Sequence, residues 1–298
     1  MNGEDTVTIV AVHGVGNSFG AEISSEQKEE LRAIRAASWT RHLAEGLGVP
    51  SDHIHLDFAY YADKLLPGIV EQGTAALDEL DDPLEQQMLA AWAAHLGVPP
   101  EIAQGRLTAP LRQITAWVAD RFDLAEGPLK VFIRLLFREV AAYLREHDSP
   151  HRLAARDEVA ARIAQEQPRI VIAHSLGSVV AYEALHAHPE LRPELFLTLG
   201  SPLALPRAVF HRLSPTPAGP GPNPQGQRPP GVSRWINIAD PGDPVAIPPH
   251  LARYFKGITK DHTAAIARYD FHQAKNYLRS AATAATINPY LTTRGSRS

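Results

Sequence analysis

Between Arg169 and Leu185 the chain reads R-I-V-I-A-H-S-L-G-S-V-V-A-Y-E-A-L. A short β-branched apolar run leads straight into one serine, and small and apolar residues continue on the far side of it. The run before Ser175 has no polar alternation, which suits a strand covered on both faces, as in a parallel sheet. A helix starting at Ser175 must double back along that strand at once, so the two elements cross closely. Ala173 and Gly177, two residues to either side of Ser175, are small enough to permit the crossing. A chain organised around such a junction belongs to the α/β class with a mostly parallel sheet flanked by helices.

The rest of the sequence repeats the alternation. Thr6 to Val12 is a second buried strand, followed by the loop His13-Gly-Val-Gly-Asn17. A helix over 24–46 opens with a capping box, Ser24 and Gln27, and stops near Gly46 and Gly48. Further strands are expected at His53–Tyr61, Arg169–His174, Leu195–Leu199 and Arg234–Ala239, with helices from about Arg152 to Gln167 and from Ser175 to His188. This is the pattern of one doubly wound domain over 1–298.

Two segments interrupt it. Residues 63–150 read as helical and carry Trp92 and Trp117, a long excursion that suits a helical insertion or cap. Within it Leu129, Phe132, Ile133, Leu136, Phe137, Val140, Tyr143 and Leu144 form one apolar stripe, and Lys130, Arg134 and Arg138 a separate basic row. The expected place of this helix is over a substrate cleft, with a membrane surface as the weaker alternative. Residues 214–231 hold seven prolines and four glycines, and are expected to form a loose surface loop.

Composition narrows the chemistry. With 29 Lys+Arg against 33 Asp+Glu the formal charge is −4, which gives no general attraction for nucleic acid. There are no cysteines, so thiolate ligands and a cysteine nucleophile are excluded. His53-x-His55 and His186-x-His188 lack a third ligand at a defined spacing, and read as surface histidines rather than metal sites. No stretch is long and uncharged enough to span a membrane, and the amino terminus lacks the pattern of a signal peptide, so the expected location is the cytoplasm.

The strand, Ser175 and helix together form a nucleophile elbow with Ala173 in place of the first glycine of G-x-S-x-G. On this motif and on His13-Gly14-Val15-Gly16, the chain resembles serine hydrolases of the α/β-hydrolase superfamily, in their lipase-like and esterase-like branches. The resemblance covers the sheet segments and not residues 63–150. It implies a serine, an acid and a histidine in that chain order, and an oxyanion hole built partly from the loop after an early strand. Val15 N–H and Leu176 N–H are the corresponding donors here. A dinucleotide fingerprint at Gly14-x-Gly16 fails because Phe19 stands where a third glycine is needed.

For the acid, Asp243-Pro244-Val245 fits the family context better than Asp240-Pro241-Gly242, and Asp240 is the alternative, suited instead to bonding loop N–H groups. For the base, His250, His262 and His272 follow the acid. His250 stands too close to the strand end, His272 enters a last helix containing Tyr277 and Leu278, and His262 is the alternative. His174 is expected to pack beside the elbow. The function implied is hydrolysis of a small carboxylic ester or lipid-like ester with an apolar acyl group, through an acyl-enzyme on Ser175 and with no cofactor. A thioesterase or acyltransferase using the same residues, and a non-catalytic hydrolase-like binding protein, are the alternatives.

Overall fold

The computed structural model describes residues 6–17, 23–65, 80, 82–103, 110–219, 221–266 and 272–291. Among them the chain forms β1 (Val7–Val12), α1 (Ser25–Leu47), β2 (Ile54–Ala59), α2 (Ala62–Leu65), α3 (Pro83–Leu96), α4 (Pro100–Ala103), α5 (Pro110–Phe122), α6 (Glu126–Leu144) and α7 (Pro150–Glu166). There follow β3 (Ile170–His174), α8 (Leu176–Ala187), β4 (Leu195–Leu199), β5 (Gly226–Gln227), β6 (Arg234–Ala239), β7 (Phe255–Lys256), β8 (Ile258–Thr263), α9 (Ala274–Arg279) and α10 (Ala281–Leu291).

Six strands make one sheet in the order β2-β1-β3-β4-β6-β8, and every pairing in it is parallel. The chain is therefore α/β with a parallel sheet flanked by helices, as the alternating pattern requires. Side chains of successive strand residues enter opposite faces. From β1, Val7, Ile9 and Ala11 pack with Trp39, Leu43, Tyr277, Leu278 and Ile287 from α1, α9 and α10. Val10 and Val12 face the other way, toward α7, α8 and the helices of the insertion. Both layers are dry, which explains why these strands read as unbroken apolar runs.

Local signals set the helix ends. Ser24 accepts from Gln27 N–H while the Gln27 side chain accepts from Ser24 N–H, the expected capping box, and Gly48 closes α1 at φ 68°. Ser149 caps α7, with Pro150 in its first turn. No helix among the described residues is long and apolar enough to cross a membrane.

One expectation needs correction: residues 214–231 are docked in part. Gly226 and Gln227 form β5, which pairs with β7, and Gly226 N–H donates to Tyr254 O at 2.9 Å. A side chain at Gly226 would press on the Phe255 ring, and one at Gly231 would meet the Leu191 carbonyl. Gly226 and Gly231 mark close contacts, whereas Gly219 and Gly221 have room around them. Lys260 to Thr263, which the sequence pattern assigns to no element, belongs to the edge strand β8. Its polar residues hide it because only one side of an edge strand is paired.

Candidate active site

The first connection runs from β1 to β2, on one side of β1, and the chain then returns to place β3 on the other side. Such a reversal opens a crevice at the carboxyl ends of the two central strands, the usual ligand position in open α/β sheets. Here the crevice is bounded by the loop after β1 and by Ser175 after β3.

Ser175 connects β3 to α8 at φ 55° and ψ −133°, a conformation costly for a residue with a side chain. Its N–H donates to Leu199 O at 3.1 Å, and its own carbonyl accepts from Ser178 N–H at 2.9 Å and from Ser178 Oγ at 2.6 Å. The strained backbone is thus bonded on both sides. Gly177 allows α8 to cross β1, since a Cβ there would lie 2.2 Å from His13 O and 2.6 Å from Val12 O. Gly14 allows the loop to pass the serine, since a Cβ there would lie 2.5 Å from Ser175 Cβ.

His272 and Asp243 meet this serine. His272 Nε2 is 2.7 Å from Ser175 Oγ, and His272 Nδ1 is 2.7 Å from Asp243 Oδ2. The same Oδ2 accepts the Tyr277 hydroxyl at 2.8 Å, and Oδ1 accepts Val245 N–H at 2.9 Å. With Asp243 accepting at Nδ1, the ring is set to carry its proton there and to offer Nε2 to the serine. Tyr277 in turn accepts Asp240 N–H at 3.0 Å, and burial beside Asp243 pushes its phenol far above the ordinary range. It acts here as a fixed, neutral donor.

Among the sequence candidates, the structure brings together Ser175, Asp243 and His272. Asp240 has the other job, accepting Gly242 N–H and Ile266 N–H, each at 2.8 Å. His262 lies in β8 opposite Ile238, one strand beyond the acid. His174 is buried and its ring stands 4.6 Å from that of His272. Burial, then the neighbouring His272 and His13, hold it far below the usual imidazole range, so it stays neutral.

The loop after β1 is held by its own bonds. The His13 ring stacks on Tyr61 at 4.2 Å. Its Nδ1 donates to Gly14 O at 2.8 Å and its Nε2 accepts Tyr61 N–H at 3.2 Å. Burial lowers the ring to about 4, which keeps that acceptor available at neutral pH. Asn17 Nδ2 donates to Gly14 O and Val15 O. Gly16 N–H donates at 3.0 Å to Glu139 of α6. Leu176 N–H belongs to the first turn of α8, where helical geometry supplies no acceptor. Val15 N–H makes no hydrogen bond among the described residues.

Glu139 escaped the sequence reading. It is buried at 2%, and burial pushes its carboxyl up to about 7 against the opposing pull of Gly16 N–H. A signal was present: Glu139 is three residues after Leu136 and four before Tyr143, so it falls among the buried positions of α6.

The cleft over Ser175 has a volume of about 400 Å³. Its floor is the His13–Asn17 loop with His174, Ser175 and His272; one wall is α1, and the other is Gln273–Lys275. From the insertion, among the described residues, Phe132 alone lines it, its ring 5.3 Å from that of His272. No group of three or more His, Asp or Glu residues suited to a metal ion occurs among the described residues. Neither protein-family models nor curated proteins nor solved structures give a match to the chain.

Proposed function

We propose that this chain is a serine hydrolase of small carboxylic esters, built on an α/β-hydrolase type of fold. The observation that carries the reading is the continuous series from Ser175 Oγ through His272 to Asp243, with both contacts at 2.7 Å. The parallel sheet, the elbow at the strand reversal and the chain order of serine, acid and histidine support it in addition.

In the proposed reaction Ser175 Oγ attacks the ester carbonyl carbon as His272 Nε2 takes its proton. Asp243 holds the imidazole orientation and favours the imidazolium that forms. The carbonyl oxygen, now negative, is received by Val15 N–H and Leu176 N–H, donors worth several kcal/mol each in such sites. His272 then gives its proton to the leaving alcohol oxygen as that C–O bond breaks. Water attacks the resulting acyl-serine by the same proton route and releases the acid. No step calls for a cofactor.

The expectation of an apolar acyl group rested on the insertion, and that support is weak. Leu129, Ile133, Leu136 and Phe137 are buried in the core that the insertion shares with α7, α8 and one face of the sheet, where Phe137 meets Trp92 edge-on. Of the insertion's described residues, only Phe132 offers an apolar surface to the cleft. The test is hydrolysis of p-nitrophenyl acetate together with labelling by a fluorophosphonate. Both should be lost in Ser175→Ala with the fold intact. Equal turnover by that variant would overturn the reading.

A further inference from the structure

The wall of the cleft formed by α1 carries a charge with no counterion among the described residues. Arg35, Ser38, Trp39 and His42 all line the cleft. Their spacing of three, four and seven residues puts them on one helical face. The basic residues earlier in the helix are committed elsewhere. Lys28 pairs with Asp63 at 3.2 Å and Glu158 at 2.9 Å. Arg32 pairs with Asp57 at 2.8 Å and with Glu29. Arg35, one turn further on, is half-buried and has no ion pair among the described residues.

Among the described lining residues there is no Asp or Glu. Arg35 is near enough to the floor for its charge to contribute to lowering His13. His42, on the same face, is also held below the ordinary imidazole range, first by burial and then by Arg279. It adds little positive charge at neutral pH, so Arg35 supplies this wall with a single cation, and Lys275 on the opposite wall is the other basic side chain lining the cleft.

We propose that the cleft selects an ester whose acyl part ends in a carboxylate, with Arg35 as the residue that receives it. The inference rests on the ester-hydrolase reading and names its substrate class: the half-ester of a short dicarboxylic acid. One guanidinium matches one carboxylate in charge and in its paired donor geometry. The cleft volume lies at the small end of ligand sites, which confines the carboxylate to a few bonds from the reacting carbonyl.

The test compares p-nitrophenyl hemiglutarate with its neutral methyl diester analogue, on the native chain and on Arg35→Gln and Arg35→Lys. The native chain should prefer the anionic ester by at least about tenfold in kcat/KM, mainly through KM, and added salt should reduce that preference. Arg35→Gln should erase the preference, and Arg35→Lys should restore part of it. Equal rates for the two esters, with hydrolysis still dependent on Ser175, would overturn the substrate class and leave the hydrolase reading standing. Binding gives a readout apart from turnover: glutaric acid monoamide should bind Ser175→Ala, measured by calorimetry, and its methyl ester should not. Loss of that binding in Ser175→Ala/Arg35→Gln would support the assignment even if no ester were hydrolysed. Equal binding of the acid and its methyl ester would refute it.

Discussion

Replacing Glu139 with Gln should stabilise the protein by an amount that grows with pH. The carboxyl group is 2% exposed; one oxygen accepts Gly16 N–H at 3.0 Å and the other has no hydrogen-bond partner. Burial raises it from 4.5 to about 7. Between those two values the unfolded chain has lost this proton and the folded protein still holds it, so folding takes up a proton and stability falls as pH rises. Each pKa unit corresponds to about 1.4 kcal/mol, so the penalty reaches roughly 3 kcal/mol near pH 7 and stays level above it. Gln keeps the shape and an acceptor oxygen for Gly16, and it does not titrate. The stability of the Gln variant relative to the native chain should be flat below 4.5, climb to about 7, and be flat again. His13 acts in the opposite sense, since its depressed value costs native stability as pH falls below 6.5, but it is present in both proteins and cancels in the difference. Urea unfolding of the two proteins across about pH 4 to 9 measures this directly. A difference independent of pH would show that the carboxyl group is not held near neutrality, and the reasoning would fail.

His272→Ala should cost at least about a thousandfold in kcat, and His262→Ala under about tenfold; steady-state rates on a p-nitrophenyl ester decide between them. Asp243→Asn added to His272→Ala should cost little more, because the acid acts only through the histidine. Gly177→Ala should abolish activity or folding, since the new methyl group meets the carbonyls of His13 and Val12; a fully active, stable variant would contradict the packing at the elbow. Glu183→Ala should cost about 3–5 kcal/mol in thermal or urea unfolding by leaving the buried Arg152 unpaired. Phe132→Ala should raise the relative rate on bulky acyl groups, read from an ester panel.

The parts of this molecule that the sequence disclosed are those decided by neighbours along the chain. The strand before Ser175 and the helix after it are specified within a few residues, and Ala173 and Gly177 supply the steric condition locally. The partners of Ser175 were legible only as pairs of alternatives. Asp240 and Asp243 stand in the same turn, and what separates them is where Tyr277, Val245 N–H and Ile266 N–H arrive. Two of those three belong to distant segments. Likewise His262 stood as the alternative base until the pairing of β8 with β6 fixed it in the sheet. Proline and glycine content misled at 226–231 because it describes the unfolded chain's freedom, whereas Gly226 and Gly231 are present for contacts that any side chain would obstruct.

The insertion shows why composition was a poor guide to its role. Its apolar stripe pointed to a substrate-covering surface, yet most of those residues fill a core. What reaches the site is more selective, and each contact meets a different part of it. Glu139 holds Gly16 in the loop after β1. Trp92 Nε1 donates to Pro244 O at 2.6 Å, next to Asp243. The Phe132 ring stands against His272. The loop after β1, the Asp243 turn and His272 sit on three separate connections of the sheet, and nothing in the sheet itself fixes their spacing as closely as the proposed proton transfer would need. A helical body packed as one core against all three can do so, because it moves little in response to any one of them. Substitutions deep in α3 or α6, far from any substrate, should therefore be felt in kcat before they are felt in KM.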